Sequence, residues 1–189
     1  MADRAHAIRG ARTRRAHPTP EEEAHVAMAL EIGSLAPDFE LPNQFGEHVR
    51  LSDFRGNRPV ALVFFPLAFS SGCTNELCTL QDNITMFQDQ RIELLGISVD
   101  SKATLRSFAE TNGYDFELLA DFWPHGAVSK EYGVFLEHKG FATRATFVID
   151  VQGRIKASII TEPGLQRDVA EYKAALDRLA ACSAPVPVG

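Results

Sequence analysis

The sequence predicts an α/β protein: a mixed β-sheet flanked by α-helices, with a short β-hairpin as an N-terminal extension of the sheet. Three observations carry this. Unbroken apolar runs of strand length at residues 60–65, 92–99 and 116–120 alternate with segments of helical period, the pattern of strands buried on both faces. A turn at Val151-Gln152-Gly153 joins two further strand-like runs, 146–149 and 155–160, into an antiparallel hairpin. A length of 189 residues with 45% apolar and 23% charged residues suits one globular domain.

Each element has its own local reason. Ala36-Pro37-Asp38-Phe39-Glu40-Leu41 reads as a short edge strand, Phe45-Gly46 as a turn, and Val49-Arg50-Leu51 as the returning strand. After Gly72, Leu77, Leu80, Ile84 and Phe87 recur at spacings of three and four, which predicts one continuous amphipathic helix. Ser101 is placed to cap a helix carrying Leu105 and Phe108, and Gly113 to end it. A short helix follows at 126–132. A last helix sets Val169, Tyr172, Leu176 and Leu179 on one face and is stopped by Ala184-Pro185-Val186-Pro187.

Composition excludes several classes. The net charge of −6 disfavours nucleic acid as a partner. The longest apolar run has 11 residues and contains Pro66, whereas a membrane helix needs about 20. Residues 1–27 carry five arginines and no aromatic residue, and they are expected to form a disordered extension ahead of a domain at 28–189. That extension lacks the apolar stretch of a secretory signal, so a cytoplasmic location is expected. None of the six histidines shows metal-ligand spacing with another His or a Cys, and no phosphate-binding glycine loop occurs. The expectation is therefore no metal and no cofactor.

Three cysteines, Cys73, Cys78 and Cys182, are too few for a disulfide scaffold. Cys73 falls where a buried strand hands over to a helix, the end of an α/β sheet at which ligands bind. First-turn placement at the positive end of the helix dipole favours a nucleophilic thiolate. A buried structural cysteine is the competing reading.

Pro66, Ser70 and Cys73 form Pro-x-x-x-Ser-x-x-Cys, which resembles the active-site motif of the peroxiredoxin family. The resemblance extends over most of residues 29–180. It takes in Ala36-Pro37-Asp38-Phe39, the apolar strand before Pro66, and Arg144 two residues ahead of the hairpin strand. Asp121-Phe122-Trp123-Pro124-His125-Gly126-Ala127-Val128-Ser129 is most similar to the alkyl hydroperoxide reductase E subgroup. The resemblance implies a thioredoxin-like fold and a peroxidase acting on hydrogen peroxide and alkyl or lipid hydroperoxides. It implies that Cys73 attacks the peroxide, that Arg144 steadies the thiolate and the leaving oxygen, and that Ser70 donates its hydroxyl. Pro66 would shield the sulfur, and Glu76 would orient the arginine. Phe69 and Trp123 are candidates for an apolar pocket wall.

Cys78 departs from that subgroup and gives the Cys-x-x-x-x-Cys spacing of the PrxQ (Bcp) type, whose second cysteine resolves the sulfenic acid. Five helical residues amount to about 7.5 Å of rise and about 140° of rotation, which separates the Cα atoms by roughly 8.6 Å. A disulfide needs less than about 7 Å. A bridge would therefore require the first turns of the helix to unwind. A thioredoxin- or mycoredoxin-like protein is the implied reductant, and a homodimer is admitted. Three alternatives stay open: a one-cysteine enzyme with Cys78 structural, a redox sensor or relay, and a holdase chaperone. A disulfide reductase fits less well because Cys-x-x-Cys is absent. Cys182 reads as a bystander.

Overall fold

Alternation along the central strands explains why they read as unbroken apolar runs. In β3 (Val60–Phe64), Ala61 and Val63 face one cluster of buried side chains, while Val60, Leu62 and Phe64 face another. Both faces are covered, so no position on the strand needs a polar residue. The computed structural model describes residues 30–161, 165 and 167–182. The expected extension at 1–27 and the proline stop at 184–187 lie outside the described residues.

The chain opens with a hairpin of β1 (Glu40–Pro42) and β2 (His48–Arg50), paired antiparallel, and a 3-10 turn at Leu51–Phe54. After β3 come α1 (Ser71–Asp82), the short α2 (Thr85–Gln88), β4 (Glu93–Ser98), α3 (Lys102–Asn112) and β5 (Glu117–Ala120). Then follow α4 (Ala127–Glu131), a small hairpin of β6 (Phe135–Leu136) and β7 (Phe141–Ala142), β8 (Arg144–Ile149), β9 (Ile155–Thr161) and α5 (Val169–Cys182). The main sheet has the order β5-β4-β3-β8-β9. Its β3, β4 and β5 run parallel, and β8 and β9 are antiparallel additions. This is the expected mixed sheet.

Leu77 and Leu80 of α1, Leu105 and Phe108 of α3, and Tyr172, Leu176 and Leu179 of α5 fill the cluster on one face. The other face is closed by Phe39 and Leu41 with Val128 of α4 and Tyr132 just after it. Fully burying such side chains stabilises by about 1.5–3 kcal/mol each, so the two clusters clamp the sheet between them. The signals read for α3 hold: Ser101 Oγ accepts from Thr104 N, and Gly113 ends the helix at φ 68°. That left-handed turn is one a residue without Cβ enters at no steric cost.

Two local readings are corrected. The segment from Leu77 to Phe87 is not one helix, because it breaks at Asn83–Ile84. Asn83 donates from its amide to Thr79 O, the local side-chain bond that competes with helix continuation. Of residues 36–41 only Glu40 and Leu41 lie in a strand, which continues to Pro42, although Leu35 makes an isolated bridge to Arg154.

Candidate active site

Between β3 and α1 the chain turns through Pro66–Phe69 before the helix begins. Phe69 takes a φ of 60°, an uncommon conformation for a residue with a large ring. The loop is tied down from the next strand. Ala68 N donates to Asp100 Oδ2 at 2.8 Å, and Ser98 Oγ donates to the same oxygen at 2.8 Å. Ser70 is the N-cap residue with extended backbone, and its hydroxyl donates to Leu67 O at 3.0 Å rather than to a helix amide. Cys73 is then the third residue of α1, wholly buried at the positive end of the helix dipole.

One turn further, on the same face as Cys73, stands Glu76, also buried. Its Oε2 accepts from Arg144 Nη1 and its Oε1 from Arg167 Nε. Arg144 opens β8, next to the Ala145 that pairs with Phe64 at the end of β3, so the sheet register brings its guanidinium under α1. Arg167 precedes α5 and donates further to Thr146 Oγ1 (2.7 Å) and Phe64 O (3.2 Å). Tyr172 OH lies 3.4 Å from Glu76 and 3.3 Å from Thr146. Burial presses against ionisation of Glu76, but Arg167 and Arg144 together outweigh it and hold the carboxyl below its ordinary value of 4.5. Burial likewise opposes the charge on Arg167, and Tyr172, Glu76 and Cys73 more than offset it. Two buried guanidiniums thus share one carboxylate, which leaves the cluster net positive, and Arg167 interacts electrostatically with Cys73. Among the described residues, Arg144 Nε is a buried donor with no protein partner.

The second cysteine of α1 has different neighbours. Cys78 is half-buried, with Sγ 3.6 Å from Tyr114 OH and 4.0 Å from Asn112 Oδ1. Both cysteines are free thiols within one intact helix.

Of the residues singled out in the sequence, Glu76 and Arg144 meet in a buried ion pair, Cys73 is buried one turn before Glu76 on the same helix, and Ser70 and Pro66 are half-buried on the loop ahead of it. Phe69 packs on Phe108 at 5.0 Å, whereas Trp123 stands 82% exposed in the loop after the edge strand β5. The ring contact of Phe69 runs to Phe108 and not to Trp123. In the Trp123 loop, the buried Asp121 accepts from Val128 N, Ser129 N and Ser129 Oγ and so caps α4. That accounts physically for the spacing of the Asp121–Ser129 motif. Arg167 carries no local signal of burial in the sequence, where it stands between Gln166 and Asp168, and sequence reasoning misses it. Among the described residues, no group of three or more His, Cys, Asp or Glu could hold a metal, and no helix is long and apolar enough to cross a membrane.

Known proteins resemble the chain over most of its length. The AhpC/TSA family matches residues 32–158. The chain is 45% identical over 152 residues to alkyl hydroperoxide reductase E of Mycobacterium tuberculosis, covering 80% of this chain and 99% of that protein. To peroxiredoxin Bcp of Escherichia coli it is 38% identical over 133 residues, covering 67% of this chain and 83% of that one. Among solved structures, peroxidoxin BcpB from Mycobacterium tuberculosis superposes with a TM-score of 0.73 at 35% identity, over 82% of this chain and 99% of its own. AhpC of Enterococcus faecalis gives 0.72 at 29% identity, over 85% and 100%. With the matched segment running from the N-terminal hairpin through α1 to the β8–β9 hairpin, the chain belongs to the AhpC/TSA family of peroxiredoxins, thiol-dependent peroxidases on a thioredoxin-like fold.

Proposed function

We propose that the protein reduces hydrogen peroxide and organic hydroperoxides through a sulfenic acid on Cys73, resolved by Cys78 and recycled by a thioredoxin- or mycoredoxin-like dithiol protein. The observation that carries this is the orphaned Nε of buried Arg144, in a cluster whose two guanidiniums answer only one carboxylate. A buried donor without a partner costs free energy unless something outside the protein completes it. A peroxide oxygen, which becomes anionic as the O–O bond breaks, is a fitting acceptor.

In the first step the Cys73 thiolate attacks the terminal peroxide oxygen. The S–O bond forms, the O–O bond breaks, and the alkoxide or hydroxide leaves with a proton from the site as alcohol or water. Arg144 holds the peroxide and the leaving oxygen, Ser70 turns its hydroxyl from Leu67 O to donate as well, and Glu76 with Arg167 fixes the guanidinium. Pro66 shields the sulfur from water. In the second step the Cys78 sulfur attacks Cys73 Sγ, the S–O bond breaks, and hydroxide leaves as water. Cys78 is oxidised and the sulfenic sulfur reduced, giving a disulfide that the external dithiol opens.

A one-cysteine enzyme is the second reading, favoured by the intact α1 and the Cys78–Tyr114 contact. Mass spectrometry of protein quenched after one equivalent of peroxide tests the two. Expected is loss of two hydrogens with a Cys73–Cys78 crosslinked peptide. A lasting sulfenic acid with Cys78 free to alkylate would overturn the resolving role.

A further inference from the structure

Resting on the reading of Cys78 as resolving thiol, we propose that Tyr114 is a positioning residue for the second step, its hydroxyl latching the first turns of α1 closed and so setting how fast the Cys73–Cys78 disulfide forms.

The geometry places the hydroxyl at the point that must open. Tyr114 OH donates to Thr74 O at 3.4 Å and lies 3.6 Å from Cys78 Sγ. Residues 74 and 78 are one helical turn apart, so Thr74 O is the carbonyl that accepts the Cys78 amide in the intact helix. One phenol therefore braces both the carbonyl that holds Cys78 in the helix and the thiol itself. With Tyr114 donating to Thr74 O, the Cys78 thiol is left to donate to the phenol oxygen or to Asn112 Oδ1, 4.0 Å away. Asn112 is itself anchored, its amide donating to Phe108 O at 2.8 Å.

The post is rigid. The Tyr114 ring is buried, stacks on Phe116 at 5.2 Å and meets Phe108 edge-on at 5.2 Å, and Phe108 packs in turn on Phe69 of the loop before Cys73. Burial and the Cys78 hydrogen bond keep the phenol above its ordinary pKa, so it remains a neutral donor throughout the working range. The latch and the bridge exclude each other. At roughly 8.6 Å between Cα atoms the two cysteines cannot join inside the helix. Cys78 must leave Tyr114 and Asn112 before its sulfur can reach Cys73. While the latch holds, a sulfenic acid on Cys73 stays exposed to a second peroxide, which would carry it to the sulfinic acid.

Tyr114→Phe tests this, because it removes the hydroxyl and leaves the packed ring. Rapid-quench mass spectrometry follows three quantities in wild type and variant: loss of the Cys73 thiol, disulfide formation, and sulfinic acid at high peroxide. Expected are an unchanged rate of thiol loss, disulfide formation faster by about three- to tenfold, the worth of one net hydrogen bond, and a matching fall in sulfinic acid. Faster amide exchange at Cys78 in the reduced variant is expected with it. A disulfide rate equal to or slower than wild type would overturn the latch while leaving the resolving role of Cys78 intact. No disulfide in either protein would overturn the resolving reading, and the latch with it.

Discussion

Helix α1 meets two unlike surroundings within five residues. On the side of Cys73 it looks into a buried interior in which Glu76, Arg144 and Arg167 form a charged cluster against the sheet. On the side of Cys78 it looks into a half-buried, uncharged notch made by Tyr114 and Asn112 at the end of α3. The cysteines share a helix and a residue type, so their difference comes from what packs on each face. The face that carries Cys73 is charged, with two guanidiniums on Glu76, and the face that carries Cys78 is neutral, with a phenol and an amide against the thiol.

The largest break in this comparison comes from exchanging sulfur for oxygen. Cys73→Ser is expected to abolish peroxide consumption in a stopped-flow assay, while Cys78→Ser still consumes about one equivalent and stops at the sulfenic acid without a small-molecule thiol. Peroxide turnover by Cys73→Ser would sink the assignment of the two faces.

Next in size is the charge that separates them. Arg144→Ala removes the donor proposed to face the peroxide but leaves Arg167 on Glu76. The second-order rate of Cys73 oxidation should fall about 10²–10³-fold, the usual cost of losing one such donor. The melting temperature should move far less than the rate. A rate within threefold of wild type would show that the orphaned Nε is not the group that meets substrate.

The smallest effect sharpens the comparison through pH. Glu76 has a carboxyl held below 4.5 in the folded state, so its contribution to stability is whole above about pH 4.5 and is lost as pH falls through the lowered folded value. Glu76→Gln leaves two buried guanidiniums without their carboxylate and should cost about 3 kcal/mol at pH 7. Denaturant titrations should show the gap between wild type and variant closing as pH drops towards 3. A gap constant across that range would mean that the fold does not hold the Glu76 carboxyl below its ordinary value.

Much of this site is legible in the sequence. Cys73, Ser70 and Pro66 sit within eight residues of one another, and the turn from an apolar strand into a helix places them by local rules. Arg144 and Glu76 come from the resemblance to the peroxiredoxin family and not from local pattern. Arg167 cannot be read from either, because its burial arises only when the start of α5 is folded against Phe64 and Thr146, far away in the chain. Tyr114 is hidden for the same reason: it follows the Gly113 helix stop like any loop residue, and only the packing of α3 beside α1 carries it to Cys78. The break at Asn83 is masked by apolar spacing that continues through it, since periodicity reports burial and not the amide bond that ends the turn.

The order of strands and helices, the buried faces, and the thiol at the head of α1 are written into the chain's local pattern. They follow from hydrophobic period, caps and turn residues, which act over a few neighbours. Folding in three dimensions settles the rest: which charges meet under that helix and which hydroxyl braces its second cysteine. Ion pairs and hydrogen bonds act over a few ångströms in space, and contacts between residues 76 and 167, or 78 and 114, exist only once the sheet has set their distance.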